Sequence, residues 1–318
     1  MKKLFSLFLS IVTIFMLVGC SSKRNYDIVS TSFVGYDFSR AVVGDKLTVK
    51  MLLNPGEELH DYSPSINDIE CILNSKLFIY VGGESDSEWV EDQILPEINK
   101  DKTVVLNMMD VVKEKGVIYN EESPSALDEI DDEEEYDEHI WNSLTNAKVL
   151  VNEIYLTIAE NIVEQELKTQ LYYLGNANNY YEKIQEKIDF YNEMINSSAK
   201  KKIIFADRFP LLYFVKEFNL EYDAASKGCE SSKEANPKVI ENLIKEIKEN
   251  NIKIIFTIEL SESNIANTIK ETLKKDGYDV DVRTYYTMHN VSKEDFKKGL
   301  TYCDFLDMNY DNLKAAIN

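Results

Sequence analysis

Cysteine is scarce, and its scarcity narrows the chemistry first. The chain holds four, Cys20, Cys71, Cys229 and Cys303, none at CxxC spacing. Neither a cysteine-rich zinc site nor a disulfide framework is expected from so few. Cys71, Cys229 and Cys303 read as small buried hydrophobes, and no feature supports a Cys229 to Cys303 bridge. Basic residues are also short, with 35 Lys and Arg against 56 Asp and Glu and a formal net charge of −21. So acidic a surface disfavours nucleic acid and favours cationic partners. Histidine is rarer still, three in 318 residues, and no HExxH occurs. The usual helical zinc-hydrolase arrangement is therefore missing.

What is present begins at the N-terminus. Lys2 and Lys3 precede an apolar run from Leu4 to Val18, broken only by Ser6, Ser10 and Thr13. A basic start with an apolar stretch shorter than the roughly 20 residues of a spanning helix reads as a secretory signal. The run closes on Leu17-Val18-Gly19-Cys20, which resembles a bacterial lipobox. Residues 1–19 are expected to be removed, and Cys20 to carry the lipid that holds the protein at the membrane surface.

Beyond Cys20, hydrophobic residues make up 44% of the sequence, enough for a buried core. Short β-branched runs alternate with amphipathic segments, twice over. In the first half, strand-like 27–31, 47–53, 76–81 and 103–106 interleave with helix-like 36–43, 65–74 and 89–98. In the second, strand-like 202–205, 253–258 and 280–285 interleave with 211–218, 237–250 and 263–275. Strand, helix, strand in this order predicts an α/β fold of two parallel-sheet lobes. Two long helical patterns, near 145–167 and 178–196, lie between the halves. The second contains no Pro or Gly and would couple the lobes stiffly. The expected division is a first lobe over 20–176, a lobe-linking helix over 177–199 and a second lobe over 200–318. The stretch from Glu121 to Glu138 is so acidic that a mobile loop is expected. It either concentrates cations or is a solvated loop with no specific role.

The three histidines, His60, His139 and His289, all fall in loop-like contexts. His60 follows the second strand of the first half and His289 the last strand of the second. Ligands bind beyond the carboxyl ends of strands in open α/β sheets, so both lie on the functional rim. Two acidic residues, Asp207 and Glu259, also end strands. Imidazoles with a carboxylate, converging from two lobes, would form a tetrahedral zinc site.

Several motifs carry a family resemblance. Asn54-Pro55-Gly56-Glu57-Glu58-Leu59-His60-Asp61-Tyr62-Ser63-Pro64, Phe78-Ile79-Tyr80-Val81-Gly82-Gly83 and Glu138-His139-Ile140-Trp141 resemble the ligand regions of the solute-binding proteins of zinc and manganese ABC importers. This is the cluster A-I group that includes the metal-binding adhesins. The resemblance implies two α/β lobes joined by a long rigid helix, with one metal in the cleft between them and an ABC permease as partner. It departs in the second half. An ungapped count from Tyr213 puts Arg208 where the third ligand belongs, and a guanidinium cannot coordinate a cation. Asp207 or Glu259 must then serve, while His289 takes the fourth place, where Asp or Glu is usual.

The expectation is a monomeric, lipid-anchored, extracytoplasmic protein that captures Zn2+, with Mn2+ as the alternative, and passes it to the importer. Three imidazoles suit zinc better than manganese, which prefers oxygen. Tyr285 and Tyr286 either wall the site or, as is commoner for an aromatic pair on a terminal strand, belong to the core. A surface zinc hydrolase and an adhesin with a structural metal are the alternatives. Four protein ligands would leave no open position for catalysis, so no enzyme is expected.

Overall fold

Ile28-Val29-Ser30 forms β1, and all three residues are buried, as expected of a central parallel strand covered on both faces. The computed structural model describes residues 25–60, 62–120, 136–163, 166–228 and 236–318. Cys20, Cys229 and the acidic stretch 121–135 lie outside them. β1 pairs in parallel with β2 (Val49–Met51) on one side and β3 (Leu77–Tyr80) on the other. β4 (Val104–Asn107) extends the sheet to the order β2-β1-β3-β4. The second sheet repeats the plan with β5 (Lys202–Phe209), β6 (Glu221–Lys227), β7 (Ile254–Ile258) and β8 (Asp281–Tyr285), in the order β6-β5-β7-β8 and again parallel. In each sheet the first strand has its successors on opposite sides. That places a crevice beyond the strand ends, where ligands bind in this architecture.

Helices complete the lobes: α1 (Phe33–Val43), α2 (Ile66–Asn74), α3 (Met108–Lys115) and α4 (Leu144–Asn161) in the first half. The linking helix α5 runs Leu167–Ser197, 31 residues, or roughly 47 Å at 1.5 Å per residue. It extends well upstream of the expected 178–196 pattern. Gly175 lies inside it with open space around its Cα, and one helical Gly costs only about 1 kcal/mol relative to Ala. Its buried face, Tyr173, Ala177, Tyr180, Ile184, Tyr191, Met194 and Ile195, follows the helical period. The second half adds α6 (Leu212–Phe218), α7 (Pro237–Glu249), α8 (Asn264–Lys275), α9 (Lys293–Lys298) and α10 (Tyr302–Ile317). One hydrophobic core runs through both lobes, from Phe33 and Phe38 to Phe205, Tyr285 and Tyr302. Cys71 and Cys303 are free and buried, as the composition suggested.

At the junction of α1, α5 and α10 sits a buried carboxylate. Asp37 accepts a hydrogen bond from the Tyr180 hydroxyl and another from the backbone N–H of Tyr302, at 3.1 Å. Burial pushes its pKa up from 3.8 to about 6, against those two hydrogen bonds and the charge of Arg40 and with that of Asp304. A raised folded-state value means that Asp37 favours the fold while protonated, and that this contribution is lost as pH rises through about 6. Asp37→Asn is expected to flatten the stability decline between about pH 5 and about pH 7 by about 1 kcal/mol. Urea midpoints of both proteins at the two pH values check this, and identical slopes would refute it.

Candidate metal centre

His60 lies in the loop between β2 and α2. The far end of the loop is set by Ser65, which caps α2: Asp68 N donates to the Ser65 hydroxyl at 3.2 Å and Ser65 N to the Asp68 carboxylate at 3.1 Å. The near end is tied to the other lobe. Gly56, at φ +85°, donates its N–H to Val291 O at 2.8 Å, and the Asn290 amide donates to Asn54 O and Glu57 O. Arg208 crosses the same gap to Glu58 at 2.8 Å.

His139 precedes a turn of 3-10 helix, Ile140–Asn142, and is fully buried. Its Nδ1 and its backbone N both face Asp137 Oδ1, at 2.9 and 2.8 Å. The Asp137 oxygen that faces Nδ1 already accepts the backbone N–H, and as an acceptor for the ring too it places the proton on Nδ1 and the lone pair on Nε2, as a ligating imidazole requires. The segment is clamped by the second lobe. Trp141 Nε1 donates to Thr287 O at 2.8 Å, the Asn142 amide to Pro210 O at 2.7 Å, and the Tyr213 hydroxyl to Asp137 O at 2.8 Å. The last two residues of the stretch 121–138, expected to belong to a mobile loop, are held in place. Asp137 and Glu138 are 2% and 3% exposed, because one holds His139 and the other faces the imidazoles.

His289 follows β8 and Met288, whose φ is +59°. The Glu259 carboxylate secures this turn, accepting from Thr287 N at 2.7 Å, the Thr287 hydroxyl at 2.8 Å and His289 N at 3.2 Å. The three histidine rings come together, His289 lying 5.1 Å from His60 and 5.4 Å from His139 between ring centroids. The Trp141 ring lies parallel to that of His289. Burial, then the neighbouring His139 and His60, hold the His289 pKa well below the ordinary imidazole value. That shift favours the neutral ring, the form in which an imidazole coordinates a metal.

Tyr285 is buried in the core, as read, while Tyr286 is partly exposed and packs against it. Asp207 accepts from Arg208 N at 2.9 Å and Ile258 N at 3.4 Å. Asp207 and Glu259 thus direct their oxygens at backbone amides. The carboxylate among the imidazoles belongs instead to Glu138, of the Glu138-His139-Ile140-Trp141 motif. Among the described residues, ligand atoms of His60, Glu138 and His289 lie within 4.8 Å of one another. Glu138 Oε1 is 3.5 Å from His60 Nε2 and 3.9 Å from His289 Nε2. Burial pushes the Glu138 carboxyl up from 4.5 to about 7, against the pull of His139. The only sequence signal was its place beside His139, and the run of acids before it hid that signal.

The residues matched by a family model run from 28 to 316, and that model is described as ZnuA, zinc-uptake complex component A, periplasmic. The chain is 28% identical over 330 residues to the high-affinity zinc uptake system protein ZnuA of Bacillus subtilis, covering 99% of this chain and 98% of that protein. It is 28% identical over 321 residues to the zinc-binding lipoprotein AdcA of Streptococcus pneumoniae, covering 99% of this chain but only 61% of the relative. The crystal structure of the metal-dependent lipoprotein YcdH from Bacillus subtilis superposes with a TM-score of 0.71 at 25% identity, over 92% of this chain and 99% of that one. With a match over nearly its whole length, two parallel lobes and the chain's three histidines meeting between them, this chain belongs to the ZnuA family of zinc-uptake components.

Proposed function

We propose that this protein captures Zn2+ outside the cytoplasmic membrane, at a site built on His60, His139 and His289, and delivers it to the permease of an ABC importer. The observation that carries this reading is the packing of the His289 ring against those of His60 and His139, the chain's only three histidines, from three separate segments. Neutral imidazoles joined by one carboxylate match the preferences of zinc more closely than those of manganese. A closed set of protein ligands stores an ion rather than activating water on it, which favours transport over hydrolysis.

Among the described residues no helix is long and apolar enough to cross a membrane. We propose Cys20 as the lipid-bearing residue, which mass spectrometry of the mature N-terminus checks. The reading as a whole is tested on protein purified without chelator, by metal analysis and competitive titration. One zinc per chain, not displaced by excess Mn2+, is expected. A preference for Mn2+, or no bound metal and no uptake on titration, would overturn it.

A further inference from the structure

The family resemblance places the carboxylate ligand in the second lobe, yet both acidic residues proposed there are occupied by backbone amides. Glu259 takes three donors from residues 287–289, and Asp207 takes Arg208 N and Ile258 N. Arg208 stands where the third ligand belongs and is joined to Glu58. The second lobe therefore presents one donor to the site, His289. A tetrahedral ion with three imidazoles needs one more.

Glu138 has the geometry to supply it. Its Oε2 accepts from Ser85 N at 2.9 Å, which leaves Oε1 turned towards the imidazoles. That Ser85 amide is itself steered by Asp86, which accepts from Val81 N and Gly82 N at 2.8 Å and from the Thr31 hydroxyl at 2.7 Å. Glu138 Oε1 and His289 Nε2 are both buried and have no hydrogen-bond partner among the described residues. Glu138 also makes no salt bridge to Lys or Arg among them. A carboxylate buried without a cation is strongly disfavoured unless one is supplied. Its position is also made by the backbone. A Cβ at Gly83 would stand 2.3 Å from Glu138 Cβ, so only glycine lets this side chain lie there.

Resting on the zinc-capture reading, we infer that Glu138 is the carboxylate ligand of the metal, and that Glu259 is a positioning residue that aims His289. The donor set is then three imidazoles and one carboxylate, with His60, His139 and Glu138 from the first lobe. The ligand lost to Arg208 is replaced by the residue next to His139. Because Oε2 stays with Ser85, the carboxylate binds through one oxygen, which suits a four-coordinate zinc.

Zinc affinity and the visible spectrum of the Co2+-loaded protein, measured for wild type, Glu138→Gln and Glu259→Gln, test the assignment. Gln keeps the size of Glu138 and can still accept from Ser85 N. Outer residues that orient ligands are worth roughly 10- to 100-fold in affinity. Glu138→Gln is expected to lose more than ~100-fold and to change the Co2+ ligand-field bands. Glu259→Gln is expected to stay within that range and keep the bands of wild type. Wild-type affinity and bands in Glu138→Gln, or the larger loss in Glu259→Gln, would overturn the assignment. Should Glu138→Gln not fold, Glu138→Asp decides by the same two readouts. A wild-type protein that takes up no zinc would instead sink the capture reading itself.

Discussion

His289→Ala is expected to weaken zinc binding by more than ~100-fold, beyond the roughly 10- to 100-fold that separates an orienting residue from a ligand. The backbone around it should stay in place, because Glu259 still receives Thr287 N and the Thr287 hydroxyl. The metal-free variant should therefore unfold within about 1 kcal/mol of wild type. What disappears is the added stability that zinc confers by binding only the folded state. Competitive zinc titration with thermal unfolding, with and without metal, separates the two effects. Wild-type affinity in the variant would mean that the histidine has not taken the fourth ligand place. The site would then hold two imidazoles with carboxylates, a set that favours manganese.

Trp141→Ala should have the largest effect on the fold itself. The indole is fully buried, donates to Thr287 O across the lobes at 2.8 Å and lies against both His139 and His289. Truncating a buried Trp costs about 3 to 5 kcal/mol, and leaving a buried carbonyl without its donor adds about 1 to 3 kcal/mol. A loss of at least ~4 kcal/mol in the metal-free protein is expected, by urea unfolding. Zinc affinity should fall with it, since two imidazoles lose their common support. Trp141→Phe keeps a ring in place and should lose only about 1 to 3 kcal/mol, mostly from the missing N–H donor. A loss under about 1 kcal/mol in Trp141→Ala would show that the indole is not what joins the lobes at the site.

Seven of the eight described strands were legible because β-branched and aromatic residues cluster in or beside them. The exception, β6, reads Glu-Tyr-Asp-Ala-Ala-Ser-Lys. It pairs with β5 alone, and with charged or polar residues at 221, 223, 226 and 227 it lacks the β-branched run that marks the others. The helix expected over 89–98 is a π turn, Val90–Ile94, followed by a 3-10 turn, Leu95–Glu97. Pro96 has no amide to continue an α-helical ladder, a local signal that the hydrophobic pattern overrode.

For the site, the sequence alone was enough to nominate the three histidines and the class of metal. Histidine is rare here, and every copy falls in a loop, two of them beyond strand ends. The choice of carboxylate could not be made that way. Asp207, Glu259 and Glu138 are all carboxylates near a strand end or a histidine, and chain position says nothing of where their oxygens point. Tertiary hydrogen bonds distinguish them: backbone amides occupy Asp207 and Glu259, while the Ser85 amide takes one oxygen of Glu138 and leaves the other facing the imidazoles. A ligand is an atom with an unused lone pair aimed at a shared point, and only the folded chain determines which atoms those are.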